Sequence, residues 1–418
     1  MRYYFPDSQD QVNPDFNFAT EQSPEFRVRQ RDDRYAHEVL SAPAYAGILV
    51  SKPIVDGWSN AAGKYTLAQR HRLYRLGVRG FFRLDQPGWS ITSMGDCGAF
   101  TYVREEVPPY EVDDVVDFYH GCDFDYGISV DHVILGYDAT ETSEAVLEWR
   151  ERQSLTLALA ADFIRTARQR RVRFQPIGVA QGWSPKSYAS AVTLLQRMGY
   201  RYIALGGMVP LKTYQIDACL RAVASVRRPA VSFHLLGVSR LEHIHTLAEY
   251  GVVSFDSTTP LRQAFKDDRD NYYALNRTYV AIRVPQVDGN AKLKAQIRAG
   301  RIDQRVARRL ENRCLSQLHG YDQGTVKVTA VLGALHEYSS LFEPDRDRTA
   351  DYEEFLADAP WKACACGICA RAGIHVGIFR GAERNKRRGF HNLYVFGKRL
   401  SQTSSIDFNT TGPQPVHA

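Results

Sequence analysis

A repeated alternation of short apolar runs with helix-like stretches most constrains how this chain can fold. The apolar runs are AGILVSKPIV, ITSMGDCGAF, DYGISVDHVILG, RFQPIGVAQG, YRYIALGGM, AVSFHLLGV, GVVSFDSTTP and YVAIRVPQ. Amphipathic stretches with apolar residues three to four apart separate several of them, at 141–171, 186–198, 214–226 and 241–250. This alternation predicts a parallel sheet, and about eight strands predict a closed (β/α)8 barrel. No G-x-G-x-x-G follows the first run, which disfavours a dinucleotide-binding fold.

The composition is that of an ordinary globular protein of 418 residues. No apolar run approaches the roughly 20 residues that span a bilayer, so no membrane partner is expected. The N-terminus lacks the basic-then-apolar pattern of a signal peptide, which predicts a cytoplasmic protein. The net charge of +6 is modest, so any nucleic-acid surface must come from clustered charge.

Polar and small residues stand where each predicted strand would end. They are Asp96, Asp131, Gln181, the pair Gly206-Gly207, Gly237 and Asp256. In a (β/α)8 barrel the carboxyl ends of the strands form the active-site face. A single Asp there often only caps a helix or makes a turn, but the whole set favours a site.

This set of side chains suits purine recognition and glycosyl chemistry. Carboxylates accept hydrogen bonds from N–H groups, an amide both donates and accepts, and glycine lets a base approach the backbone. Two further carboxylates can attack or stabilise an oxocarbenium-like carbon and move a proton. The residues therefore predict an enzyme acting on a glycosidic or N-glycosidic bond.

Three cysteines near the C-terminus have the spacing of a metal site. Cys364, Cys366 and Cys369 form C-x-C-x2-C, which in a cytosolic protein most often holds zinc. His375 or His391 can supply the fourth ligand. Three thiolates and one imidazole leave no open position, which predicts a structural Zn2+ and disfavours a zinc hydrolase. An iron–sulfur cluster usually needs four cysteines. The remaining cysteines, Cys97, Cys122, Cys219 and Cys314, are scattered singly.

The C-x-C-x2-C motif followed by HNLYVF resembles the tRNA-guanine transglycosylases. That family combines a (β/α)8 barrel with a zinc subdomain whose histidine begins an H-N-L motif, which implies His391 as the fourth ligand. The resemblance runs from about Gly47 to Leu400. We expect an N-terminal extension packed on the barrel (1–44), a catalytic barrel (45–345), and a zinc-binding subdomain with a C-terminal tail (346–418).

Two barrel motifs imply the catalytic carboxylates. GDCGAF resembles D-S-G-G-F/Y, whose aspartate is the general acid and base, here Asp96, with Phe100 as the stacking aromatic. VSFDSTTPLR resembles M-F-D-C-V-x-P-T-R, whose aspartate is the nucleophile, here Asp256.

Four further motifs imply the groups that bind the base. SVDHV resembles the segment whose aspartate reads the purine, here Asp131, and GVAQG resembles V-Q-G, which gives Gln181. ALGGM resembles A-I-G-G-L, which implies the Gly206-Gly207 backbone, and HLLGV resembles the M-G-V segment, which places Leu236 under the base.

The departures from the family pattern indicate a branch. Cys97 and Ala99 replace a serine and a glycine of D-S-G-G, and Thr101 stands where the tRNA enzymes carry glutamine. TTPLRQAFKDDRDNYY replaces the basic loop T-R-x-x-R-x-G. The pattern is more similar to the DpdA-like DNA-guanine transglycosylases, which exchange guanine in DNA for a 7-deazaguanine such as preQ0.

By that resemblance, Asp256 attacks C1′ of the nucleotide, and Asp96 protonates the leaving guanine and deprotonates the incoming base. The target base must first leave the stack. The implied partners are DNA, the base preQ0, an ATPase of the same modification system and a second copy in a homodimer. Structural Zn2+ is the implied metal, with no redox or nucleotide cofactor.

Two basic segments are candidates for phosphate contacts. One lies beside the cysteines and includes Arg380, Arg384, Lys386, Arg387 and Arg388, for which a nucleic-acid contact is favoured. The other is a helical repeat for which a solvated surface is equally compatible, with Arg301, Arg305, Arg308, Arg309 and Arg313.

Two other functions stay open. A tRNA-guanine transglycosylase with a diverged groove would share the chemistry and differ in the polymer. A catalytically silent barrel that binds nucleic acid or supports a partner would not need both Asp96 and Asp256.

Overall fold

The structure is a computed structural model, and it describes residues 1–57, 63–238, 240, 243–266 and 269–403. Eight parallel strands close into a barrel in chain order, each hydrogen-bonded to the next and the last to the first. They are β1 Arg2–Pro6, β2 Gly47–Ser51, β3 Thr92–Asp96, β4 Tyr126–Ile128, β5 Gln175–Ala180, β6 Tyr202–Leu205, β7 Ser232–Leu235 and β8 Val252–Asp256. The predicted closed α/β barrel is confirmed.

The first barrel strand lies inside the segment that we expected to be an extension. β1 pairs with β2 and with β8, and so closes the barrel. The run YVAIRVPQ, expected to be a strand of the sheet, instead contributes only short pairs elsewhere. These short strands are β9 Tyr272–Tyr273, β10 Thr278–Tyr279, β11 Ile282–Arg283 and β12 Ile378–Phe379. The sequence therefore predicted the right number of strands with one of them in the wrong place.

Helices follow the strands along the chain. They are α1 Arg29–Asp32, α2 Ala36–Val39, α3 Lys52–Asp56, α4 Leu67–Phe82, α5 Val112–Gly121, α6 Val146–Gln169, α7 Pro185–Met198, α8 Thr213–Ser225, α9 Ile244–Glu249, α10 Thr259–Gln263, α11 Ala291–Arg298, α12 Gln304–Asp322, α13 Val328–Ser339, α14 Thr349–Asp358, α15 Pro360–Ala363, α16 Gly367–Ala372 and α17 Gly381–Thr403. Two 3-10 turns add Ala99–Tyr102 and Gly373–Gly377.

The start of α7 shows how the sequence sets a helix boundary. Ser184 caps the helix by accepting a hydrogen bond from the Ser187 N–H at 3.1 Å, and Pro185 occupies the first helical position. Proline fits there because its missing N–H would have no partner inside the helix. The helix expected at 186–198 is thus confirmed with its N-terminal signal.

Side chains fill the interior of the barrel. The buried cluster consists of Tyr4, Leu49, Met94, Tyr126, Ile128, Ile177, Val179, Tyr202 and Ala204. Alternate residues of parallel barrel strands point inward and stack in layers, so the barrel is a packed core whose function lies at its mouth. Three aromatic rings inside the cluster, those of Tyr4, Tyr126 and Tyr202, set this core apart from a purely aliphatic one.

The chain divides into two compact units. Of the described residues, one unit contains 1–9, those within 45–258, and 399–403, and it holds the complete barrel. The other contains residues 10–44 and 259–398. The expected boundaries near residues 44 and 345 stay predictions, and part of the expected tail, 404–418, lies outside the described residues. Among the described residues, no helix combines the length and apolar character needed to cross a membrane.

Candidate active site

Asp96 ends β3 beside the end of β2. Ser51 pairs with Asp96 in the strand register, and its hydroxyl donates to Asp96 Oδ2 at 2.6 Å. The backbone of Gly98 also favours the charged form of this carboxylate and opposes a rise of its pKa. Burial raises the pKa of Asp96 above its ordinary value, and the charge of Asp256 raises it further. Asp96 therefore keeps a proton more readily than an exposed aspartate.

Asp256 is the last residue of β8, and donors hold it from one side. Its Oδ1 accepts a hydrogen bond from the Gly237 N–H at 2.9 Å and lies 3.2 Å from His234 Nε2. Gly237 has a φ of +72° in the turn after β7, which favours glycine. The turn thus aims a backbone donor at the carboxylate.

Asp131 and Gln181 form a buried pair beyond the ends of β4 and β5. Gln181 Nε2 donates to Asp131 Oδ2 at 2.6 Å, and the Cys97 thiol donates to Oδ1 at 2.9 Å. Burial raises the pKa of Asp131 to about 7, although the hydrogen bonds from Cys97 and Gln181 oppose the rise. Asp96 adds a like charge nearby. This site therefore combines a carboxylate, an amide and a thiol in one hydrogen-bonded group.

The Gly206-Gly207 pair packs against that group. A Cβ on Gly206 would lie 2.2 Å from Gln181 Nε2, and one on Gly207 would lie 2.2 Å from the Ile134 carbonyl oxygen. Gly206 is already bonded, since its N–H donates to the Ala180 carbonyl at 3.1 Å and its carbonyl accepts from Tyr188. The Gly207 N–H has no partner within the described part of the chain. Glycine is thus required here by close approach.

Two apolar residues complete the predicted set. Leu236 follows β7 and packs on the apolar cluster inside the barrel, so it lies at the floor of the mouth. Phe100 lies in the 3-10 turn after Asp96 with half of its surface exposed. An exposed aromatic ring on the mouth side of a strand end is available for stacking.

The barrel thus brings the predicted carboxylates into one electrostatic group. Asp96 interacts with both Asp256 and Asp131, and Asp131 bonds Gln181 directly. Sequence reasoning missed two buried partners, Cys97 and His234. In the sequence, Cys97 is visible only as a departure from the D-S-G-G motif. A histidine inside an apolar strand that ends at a barrel mouth is unusual, and this feature could have identified His234.

The second unit contains the cysteine cluster. The sulfurs of Cys364, Cys366 and Cys369 lie 3.4, 3.5 and 3.3 Å from His391 Nδ1, and all four ligand atoms lie within 4.8 Å of one another. His391 Nε2 lies 2.7 Å from the Tyr273 carbonyl, so its N–H donates there and leaves Nδ1 to face the sulfurs. These residues can hold a metal ion.

The alternative ligand His375 is elsewhere. Its ring stacks on Phe18 with centroids 4.4 Å apart and is not one of the four clustered residues. The choice of His391 over His375 agrees with this geometry.

The predicted phosphate contacts of the cluster at 380–388 are wrong. Its four arginines are buried, and each is bonded within the second unit. Arg380 and Arg384 both pair with Glu21, and Arg380 Nε lies 2.6 Å from its Oε1. Arg388 donates to the Ile378 carbonyl at 3.1 Å. Guanidinium groups that are buried and bonded inside the protein cannot track a phosphate backbone, so this cluster stabilises the fold.

The basic helix α12 differs. Arg308 and Arg313 pair with Asp288 and Glu337 at 2.8 and 2.6 Å. Three other arginines are exposed with no ion pair in the described residues, namely Arg305 and Arg309 on the helix and Arg301 just before it. This face keeps unneutralised positive charge.

Comparison with known proteins decides the family. No family model matches the chain. A DNA-guanine transglycosylase of Salmonella montevideo is 47% identical over 413 residues, covering 97% of this chain and 98% of the relative. The chain belongs to the DNA-guanine transglycosylases. This guanine transglycosylase is therefore an enzyme, a pentosyltransferase, and its match to the relative extends over the barrel and the cysteine cluster alike.

Proposed function

We propose that this transglycosylase exchanges guanine in DNA for a 7-deazaguanine such as preQ0, through a covalent aspartyl–DNA intermediate. One observation carries the proposal. Asp96 and Asp256 share one barrel mouth in different surroundings, one favouring a bound proton and the other held as an acceptor. Pairs of carboxylates with different environments divide into an acid and a nucleophile. The relative's name supports DNA as the polymer.

In the first step, a carboxylate oxygen of Asp256 forms a bond to C1′ while the bond from C1′ to N9 of guanine breaks. The electron pair of the breaking bond passes to the base, which takes the proton of Asp96. In the second step, the incoming base gives its N9 proton to Asp96, and N9 attacks C1′. The bond to Asp256 then breaks, and both carboxyl groups return to their initial states.

The base-binding groups follow from the same pocket. Asp131 accepts from the N–H groups of the purine edge, and Gln181 reads a neighbouring position. The Gly207 N–H offers a further donor, Leu236 supports the ring from below, and Phe100 stacks on it. Both guanine and a 7-deazaguanine present this edge, so the leaving and incoming bases use the pocket in turn.

The metal that we propose is structural Zn2+. Zinc bonds of about 2.3 Å to sulfur and 2.0 Å to nitrogen at a tetrahedral angle place sulfur and nitrogen about 3.5 Å apart. The three sulfurs stand 3.3 to 3.5 Å from His391 Nδ1. Bound zinc would hold Cys364, Cys366, Cys369 and His391 together, with no open position for catalysis.

The proposed polymer and partners rest on exposed positive charge and on the need to expose the target nucleotide. The exposed arginines of α12 suit contacts to phosphates, which position DNA without reading its sequence. The target nucleotide is flipped out before attack, at a cost of a few kcal/mol. On duplex DNA we expect an ATPase partner to supply unwinding. We also expect a homodimer and a cytoplasmic location.

Trapping the intermediate tests this function. The enzyme is incubated with single-stranded DNA, duplex DNA or tRNA without an incoming base, and adducts are resolved on a denaturing gel. Wild type and the exposed-aspartate control Asp162→Ala should form a DNA adduct, Asp96→Asn should form it slowly, and Asp256→Ala should form none. An adduct of Asp256→Ala at the wild-type level would refute the nucleophile, and an adduct with tRNA alone would change the polymer.

A further inference from the structure

We infer that His234 is a positioning residue which, held by a buried relay of Ser254 and Tyr202, leaves Oδ2 of Asp256 as the attacking oxygen. This inference rests on the proposed role of Asp256 as nucleophile. It adds to that role the group that orients the carboxylate and the oxygen that reacts.

The two oxygens of Asp256 have different surroundings. Oδ1 faces His234 Nε2 at 3.2 Å and the Gly237 N–H at 2.9 Å. Oδ2 has no hydrogen-bond partner in the part of the chain that the structure describes. Donors on one oxygen fix the carboxylate rotamer and withdraw charge from that oxygen. The other oxygen keeps its lone pairs for C1′.

The direction of each hydrogen bond in the relay follows from its end points. An ionised Asp256 can only accept, so His234 Nε2 carries the proton and Nδ1 must accept. Ser254 Oγ lies 2.6 Å from Nδ1 and donates to it. Tyr202 then donates its hydroxyl proton to Ser254 Oγ. Each donor therefore has one acceptor, with a single consistent set of protons.

Because the relay is buried, each of its polar groups needs a hydrogen-bond partner if the folded protein is not to be destabilised. His234 and Ser254 are fully buried, and Tyr202 nearly so, within the apolar filling of the barrel. A buried polar group without a partner costs about 1–3 kcal/mol. Rings of Tyr4 and Tyr202 also flank the imidazole edge-on, at 5.9 and 6.4 Å between centroids. The ring of His234 is thereby held in one orientation.

Further polar side chains lie beside the relay inside the barrel. Arg2, on β1, has its guanidinium carbon 6.0 Å from the centre of the Tyr202 ring and donates to the Tyr126 hydroxyl at 3.0 Å. A barrel interior is ordinarily filled by apolar side chains in layers. A column of polar side chains that ends on the proposed nucleophile has a direct use, because a misplacement of about 1 Å can slow a reaction about 100-fold.

The test compares His234→Leu, which removes the donor, with His234→Gln, whose Nε2 can replace the imidazole Nε2–H. His245→Leu, at an exposed histidine, is the control. The rate of adduct formation on single-stranded DNA, the KM for radiolabelled guanine in exchange, and thermal unfolding are measured for each protein. We expect His234→Leu to form the adduct about 100-fold more slowly, with an unchanged KM for guanine, and His234→Gln to recover most of the rate.

The outcomes separate this inference from the proposed function. Wild-type protein that forms no adduct and exchanges no guanine would refute the function itself. If wild type reacts and His234→Leu reacts at the same rate, the positioning role fails alone. Equal rate losses in His234→Leu and His234→Gln, together with equal losses of thermal stability, would reduce His234 to a packing residue and overturn the inference.

Discussion

At the scale of single residues, three carboxylates of one type have three different environments. Asp96 is partly buried beside Ser51, Asp131 is enclosed between Cys97 and Gln181, and Asp256 faces Gly237 and His234. Burial and hydrogen bonding, rather than residue identity, set which of them holds a proton. This is how one barrel mouth can supply an acid, a base-reading group and a nucleophile.

Asp131 makes stability depend on pH. Its pKa is raised to about 7 in the folded state, against about 3.9 in an unfolded chain. Between these values the folded protein keeps a proton that the unfolded chain loses, so the free energy of unfolding falls as pH rises, by at most about 1.4 kcal/mol per pH unit. Asp131→Asn should remove this slope. Urea unfolding from pH 4.5 to 8 measures it, and equal slopes in both proteins would contradict the account.

The positions of site residues at the barrel mouth were predictable where the strand pattern revealed them. Asp96, Gln181 and Asp256 stand at strand ends, and a barrel gathers strand ends at one face. His234 could not be assigned because a sequence does not show that the side chains of Ser254 and Tyr202 turn inward to bond with it and with each other. The basic cluster at 380–388 was wrongly predicted to contact phosphates, because Glu21, the partner of Arg380, lies 359 residues away along the chain.

At the scale of elements, the metal cluster joins the end of α15 to α17. Cys366 also caps α16, because its sulfur accepts from the Cys369 N–H at 3.3 Å. Cys366→Ala should reduce zinc well below one ion per chain and lower the thermal midpoint, because metal binding supplies folding free energy. Metal analysis and thermal unfolding measure both effects. Cys314→Ala, at a lone buried cysteine, is the control, and full zinc content in Cys366→Ala would refute the ligand set.

The exposed face of α12 gives a second prediction at this scale. Arg305→Gln with Arg309→Gln removes two unpaired charges, and Arg308→Gln with Arg313→Gln removes two paired ones from the same helix. The first pair should weaken DNA binding and lower the slope of log K against log salt by about 0.9 per lost phosphate contact. Fluorescence anisotropy at several salt concentrations measures this slope. Equal effects of the two double variants would leave α12 a solvated surface.

The sequence alone does not show which arginines of the basic segment at 301–313 form ion pairs. Five arginines at helical spacing do not reveal which of them meet acidic partners. Asp288 and Glu337, which neutralise Arg308 and Arg313, come from neighbouring segments whose positions only the fold determines. Among the described residues, only some of these five arginines therefore remain without an acidic partner.

At the scale of the whole molecule, the barrel was predictable because its strands repeat one pattern. Seven runs from AGILVSKPIV to GVVSFDSTTP each contain a barrel strand. β1 escaped prediction because its apolar core is only the short YYF, and a long segment with only the four-residue helices α1 and α2 separates it from β2. The prediction relied on the alternation of strands with long helices, and no long helix follows β1.

The most direct measurement of the central claim is a base-exchange assay with purified enzyme. Radiolabelled guanine or preQ0 is offered with double-stranded DNA, single-stranded DNA and bulk tRNA, with Asp256→Ala in parallel. The account predicts label in DNA, lost in Asp256→Ala and absent from tRNA. Label entering tRNA alone, or entering DNA equally in wild type and Asp256→Ala, would contradict it.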